Sequence, residues 1–81
     1  MTKTTNASTT GRRLGWVIRD IETGQYINRN ESYTFTRKLS NAKVFNSRSV
    51  ARDLRSVGRE TVDKVAVERN TPVKVLANHG G

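Results

Sequence analysis

Fifteen lysines and arginines stand against seven carboxylates and a single histidine in this 81-residue chain. The chemistry its side chains can do is therefore mostly the recognition of anions. Three arginines are spaced for it. Arg48, Arg52 and Arg55 follow one another at i, i+4 and i+7, which at about 100° per residue gathers them into one stripe of a helix. Val50, Ala51, Leu54 and Val57 centre on the opposite side. The spacing predicts a short amphipathic helix that packs through its apolar stripe and presents guanidinium groups outward. A guanidinium fork binds phosphate or carboxylate bidentately and stacks on bases, whereas lysine acts more as a point charge. The arginine stripe lacks the alternating signs with which exposed helices form i,i+4 ion pairs. Arg12, Arg13, Arg19, Arg29, Arg37, Lys38 and Lys43 add positive charge from the preceding segments. The candidate binding residues are thus Arg12, Arg13, Arg19, Arg29, Arg37, Lys38, Arg48, Arg52 and Arg55.

Catalytic constellations are nearly absent. His79 sits in a Gly-rich end, so a histidine-based acid–base site is not expected. Asp20, Glu22, Glu31, Asp53, Glu60, Asp63 and Glu68 are scattered through turns or beside basic residues. No phosphate-cradling glycine loop, metal-ligand cluster or nucleophile elbow is present. The expectation is a non-enzymatic protein with no cofactor, metal or small-molecule substrate. With a net charge of +8, its partners should be anionic: nucleic acid, or an acidic face of a host protein.

One domain is all that this length allows, with a modest core and marginal stability. There is no cysteine, which fits a reducing compartment. No apolar run approaches the length needed to span a bilayer, and a cytoplasmic protein without membrane association is expected. Residues 1–13 read as a flexible tail with a basic end, 14–76 as the folded unit, and 77–81 as a frayed terminus. Within the folded unit Trp16–Ile21 is rich in β-branched and aromatic residues and reads as a strand. Glu22-Thr23-Gly24 follows as a turn, Gln25–Arg29 as the return strand, and Asn30-Glu31-Ser32 as a second turn. Tyr33–Arg37 alternates as a third strand. A single helical turn is expected over Ser40–Lys43. Asn46 or Ser47 is the N-cap of the arginine helix, and Gly58 is its left-handed stop. Val62–Leu76 alternates again and is interrupted by Asn70-Thr71-Pro72, giving a hairpin or one kinked edge strand. The order βββαβ, with a possible extra C-terminal strand, predicts an α+β fold. Its antiparallel sheet would have three to five strands, with one helix packed on one face. Trp16 and Tyr33 serve either the core or, if left exposed, the stacking of bases.

The segment Leu39-Ser40-Asn41-Ala42-Lys43-Val44-Phe45-Asn46-Ser47, followed by Val50-Ala51 and Leu54 and preceded by Gly24-x-Tyr26, resembles a pattern in many small bacteriophage-encoded proteins. That resemblance implies a phage-type origin and a role as a DNA-binding accessory or a host-takeover inhibitor. The architecture is also similar to the three-stranded-sheet DNA-binding domains of the AP2 and integrase-arm type. There the sheet enters the major groove, which would place Arg19, Arg29 and Arg37 at the DNA. The chain departs from that type in its additional apolar C-terminal section. The expected function is a small basic binding protein that engages nucleic acid. The alternative is an inhibitor docking on an acidic surface of a host enzyme or defence complex.

Overall fold

The computed structural model describes residues 12–31 and 34–78. Among the described residues, five antiparallel strands and one α-helix make up the domain. The strands are β1 (Arg12–Asp20), β2 (Tyr26–Ile27), β3 (Phe35–Thr36), β4 (Glu60–Glu68) and β5 (Thr71–Asn78). A 3-10 turn, Leu39–Asn41, and the helix α1, Arg48–Leu54, lie between β3 and β4. The sheet order is β3-β2-β1-β4-β5, and the sheet is curled into a half-barrel. The first three strands form the expected meander. Of the expected tail 1–13, Arg12 and Arg13 instead begin β1, and of the expected frayed end 77–81, Ala77 and Asn78 instead end β5, because both pairs join the sheet. Residues 1–11, Tyr33 and the end with His79 fall outside the described residues.

Local chemistry sets the turns. The Asp20 carboxylate accepts the amides of Glu22 and Thr23 at 2.8 and 2.9 Å, and Gly24 takes φ +76°. The Thr23 amide is the main reason the Asp20 carboxyl lies below its usual range; desolvation opposes it, and the Glu22 amide adds to the lowering. Between β4 and β5, Arg69 and Asn70 both adopt positive φ, 51° and 67°, as a two-residue type I′ turn requires. The C-terminal apolar section is therefore a hairpin. Its second strand is an outer edge, where Pro72 is tolerated because an edge position need not supply every ladder amide.

Long β1–β4 pairing, with Val17 opposite Asp63 and Ile18 opposite Val62, divides the side chains between two faces. Val17, Val65 and Val67 pack with Ala42, Leu39, Val44 and Tyr26 on one. Ile18 and Val62 pack with Phe45, Ala51, Trp16 and Ile27 on the other. We call these the loop face and the helix face. β2 is short, so the chain at Phe45 takes its place beside β1, exchanging backbone hydrogen bonds with Trp16 at 2.7 and 3.0 Å. Gly15 makes that approach possible: a Cβ there would lie 2.7 Å from Val44 Cγ1 and 3.0 Å from Val67 Cγ2.

The helix departs from expectation in three ways. It begins as predicted, with Ser47 Oγ accepting the Val50 amide at 3.4 Å. It stops at Leu54, however, because Arg55 turns to extended dihedrals as the C-cap. Gly58, at φ +84°, instead serves the tight turn of 56–60, where the Arg59 and Glu60 amides donate to the Ser56 carbonyl. The apolar stripe is not a core stripe. Ala51 alone is buried, whereas Val50, Leu54 and Val57 are 48, 62 and 79 % exposed. The reason is steric: the small Ala51 sits directly over Ile18, Phe45 and Val62, which leaves its bulkier neighbours at the sides.

Candidate nucleic-acid interface

The β1–β4 register sorts three of the nine candidate cations, Arg12, Arg13 and Arg19, between the faces. Arg13 and Arg19 share the loop-face parity of Gly15 and Val17, opposite Val67 and Thr61. Arg13 donates to the side-chain oxygens of Asn46 at 2.6 Å and Asn70 at 3.2 Å. It thereby ties the start of β1 to the approach to α1 and to the β4–β5 turn. Arg19 is held more firmly. Its Nε donates to Asp63 Oδ2 at 2.8 Å, and Asn78 Nδ2 donates to Asp63 Oδ1 at 2.8 Å and to Thr61 Oγ1 at 3.0 Å. The hydrogen bond and charge of Asp63 raise the Arg19 pKa further, against partial desolvation. The Asp63 side chain is only 3 % exposed, so the Arg19 guanidinium is its counter-ion on the loop face.

On the helix face, Arg12 pairs with Glu68 at 2.6 Å, both exposed. Such an exposed pair adds little stability. Arg48 and Arg52 are exposed on α1. Arg55 lies beyond the last helical residue and donates through Nη1 to the Arg52 carbonyl at 2.5 Å. The three arginines therefore do not form one continuous helical stripe; two stand on the helix and the third folds back over its end. Arg29 lies beyond β2, with Nη1 3.4 Å from the Ser40 carbonyl, while Arg37 and Lys38 are exposed just after β3.

A groove of about 510 Å³ opens on the helix face, a feature that the charge pattern alone does not indicate. Ile18, Ile27, Phe35 and Phe45 supply its apolar lining, Leu54 comes from the end of α1, and Arg29, Lys43 and Glu60 bring charge to it. The apolar residues of α1 that fail to enter the core thus find a partial role, since Leu54 walls this groove. Lys43 Nζ stands 5.5 Å from the centroid of the Phe45 ring, within cation–π range. Phe35 is 38 % exposed. Period-2 alternation carries part of this groove in the sequence, because Ile27 pairs with Phe35 across β2 and β3 and paired residues share a face. Trp16 is half-buried in the helix-face cluster, and its Nε1 is buried without a hydrogen-bond partner among the described residues. It is a packing residue rather than an open stacking surface.

Among the described residues no group of three or more histidine, aspartate or glutamate side chains is placed to hold a metal ion. No helix among them is long and apolar enough to cross a membrane. The fold and surface define a small, sheet-dominated α+β domain with an arginine-rich exterior. No protein-family model, curated protein or solved structure matches the chain.

Proposed function

We propose that this chain is a small, basic, non-enzymatic binding protein, of the phage-encoded kind its sequence pattern resembles, and that it engages nucleic acid through its arginine-rich surface. The observation that carries this reading is the placement of cations on the helix face. Arg48 and Arg52 stand exposed on α1, whose first turn holds no acid, and the same helix walls a groove that Arg29 and Lys43 also line. Each phosphate that such a surface neutralises releases condensed counterion, so affinity rises steeply as salt falls. Arg19 supports the fold rather than this surface, because Asp63 occupies its guanidinium.

The test is a salt titration of binding to duplex and single-stranded oligonucleotides by the wild type, Arg48→Ala and Arg52→Ala. Each substitution should weaken binding without lowering the melting temperature, and should reduce the slope of log affinity against log salt by about one. Wild-type protein that binds no nucleic acid at low salt refutes the reading. A second reading, docking on an acidic protein, is favoured by the exposed apolar residues Leu14, Val73 and Leu76, which line a shallow depression with Arg12, Arg13 and Lys74. Its signature would be one or two positions costing at least about 2 kcal/mol while their neighbours cost little, with no competition from nucleic acid.

A further inference from the structure

The groove on the helix face is poorly suited to phosphate alone. About half of its lining is apolar, from Ile18, Ile27, Phe35, Phe45 and Leu54, and half is polar, with Arg29 and Lys43 among the polar residues; a phosphodiester backbone would gain nothing from the apolar half. A duplex keeps its bases stacked inward and would offer this lining only sugar and phosphate. An unpaired base presents a flat π-face, which stacks on aromatic side chains whatever its identity.

The geometry supplies the parts for this. Phe45 is almost fully buried and has Lys43 Nζ near its ring, so the ring left open in the groove is Phe35. Ile27 pairs directly with Phe35 across the strands and extends the apolar surface beside it, with Leu54 on the helix side. Glu60, the carboxylate lining the groove, accepts the Ser56 amide at 2.7 Å, while Arg29 and Lys43 provide positive charge. A volume of about 510 Å³ falls within the roughly 300–1,000 Å³ typical of sites that enclose a small organic group. We infer that this groove binds single-stranded nucleic acid by taking an unpaired base against Phe35, with Arg29 and Lys43 holding the adjoining phosphates. The inference rests on the nucleic-acid reading above and narrows it to unpaired strands.

Fluorescence polarisation of labelled oligothymidylate and oligouridylate, each about 15 nucleotides long, tests it against a duplex of the same length, all with the full chain. The wild type should bind the single strands more tightly than the duplex. Phe35→Ala should weaken single-strand binding about 5- to 150-fold, the range for losing one base–aromatic stack. Phe35→Leu keeps an apolar side chain and guards against simple unfolding; it should lose most of the same affinity, while Phe35→Tyr should retain it. Duplex bound as tightly as single strands, or Phe35→Leu binding like the wild type, would overturn the groove assignment. Loss on Arg48→Ala would in that case still leave the broader nucleic-acid reading intact. Failure of every oligonucleotide to bind at low salt would overturn both.

Discussion

Replacing Arg19 with methionine keeps most of the side chain's apolar length but removes the counter-ion of Asp63. The Asp63 side chain is 3 % exposed and that of Arg19 is 29 % exposed, so among the described residues the carboxylate would keep the Asn78 amide, at 2.8 Å, as its side-chain donor. Breaking a buried ion pair by removing one partner costs about 3–5 kcal/mol. Partial exposure on the arginine side admits water to the vacated space and reduces this to about 2–4 kcal/mol. A domain of this size gains or loses about 4–8 °C in melting temperature per kcal/mol, so Arg19→Met should melt at least about 8 °C lower. That loss is a large fraction of the roughly 5–15 kcal/mol total stability of a typical domain. The double substitution Arg19→Met with Asp63→Leu removes the orphaned charge and should recover most of the loss, as replacement of a buried pair by apolar residues often does. Thermal denaturation followed by circular dichroism reads both. A melting temperature unchanged in Arg19→Met, together with lost nucleic-acid binding, would show that this arginine faces the partner rather than Asp63, and would refute the assignment.

Two stability predictions follow from the faces of the sheet. Gly15→Ala forces a Cβ to within 2.7 Å of Val44 Cγ1 and 3.0 Å of Val67 Cγ2, two β-branched side chains with little freedom to move; it should cost about 1–3 kcal/mol, read as a lower urea midpoint, and an unchanged midpoint would mean the Phe45 segment does not sit against β1. Ala51→Leu should destabilise by about 1–3 kcal/mol through overpacking while Leu54→Ala stays within about 0.5 kcal/mol, as for an exposed position, and the reverse order would mean that the helix is rotated to bury Leu54.

Much of the local structure is legible in the residues themselves. The turn at Glu22-Thr23-Gly24 and the Ser47 cap depend on interactions among a few neighbouring residues, and so does the meander's first strand on its run of β-branched and aromatic side chains. The βββαβ order with an added C-terminal strand belongs to this class, because hydrophobic period and turn chemistry are both written locally. The choice between hairpin and kinked strand after Val67 was not: it depends on Arg69 and Asn70 accepting positive φ, which the closing of β5 onto β4 rewards. Helix burial was likewise decided in three dimensions. Periodicity identified one apolar side, but which member of that side meets the sheet depends on how closely α1 approaches Ile18 and Val62, and only Ala51 is small enough for that contact. The fate of Arg19 shows the limit for the candidate site. Asp63 shares strand parity with Val65 and Val67, and Arg19 with Val17, so both could be placed on inward faces from sequence. That the two inward faces are the same one follows only from the β1–β4 register, which sets Arg19 opposite Thr61 and Val17 opposite Asp63. Composition determined a strongly basic chain, with fifteen lysines and arginines against seven carboxylates. The pairing of distant strands decided which arginines are spent inside the fold and which remain on its surface.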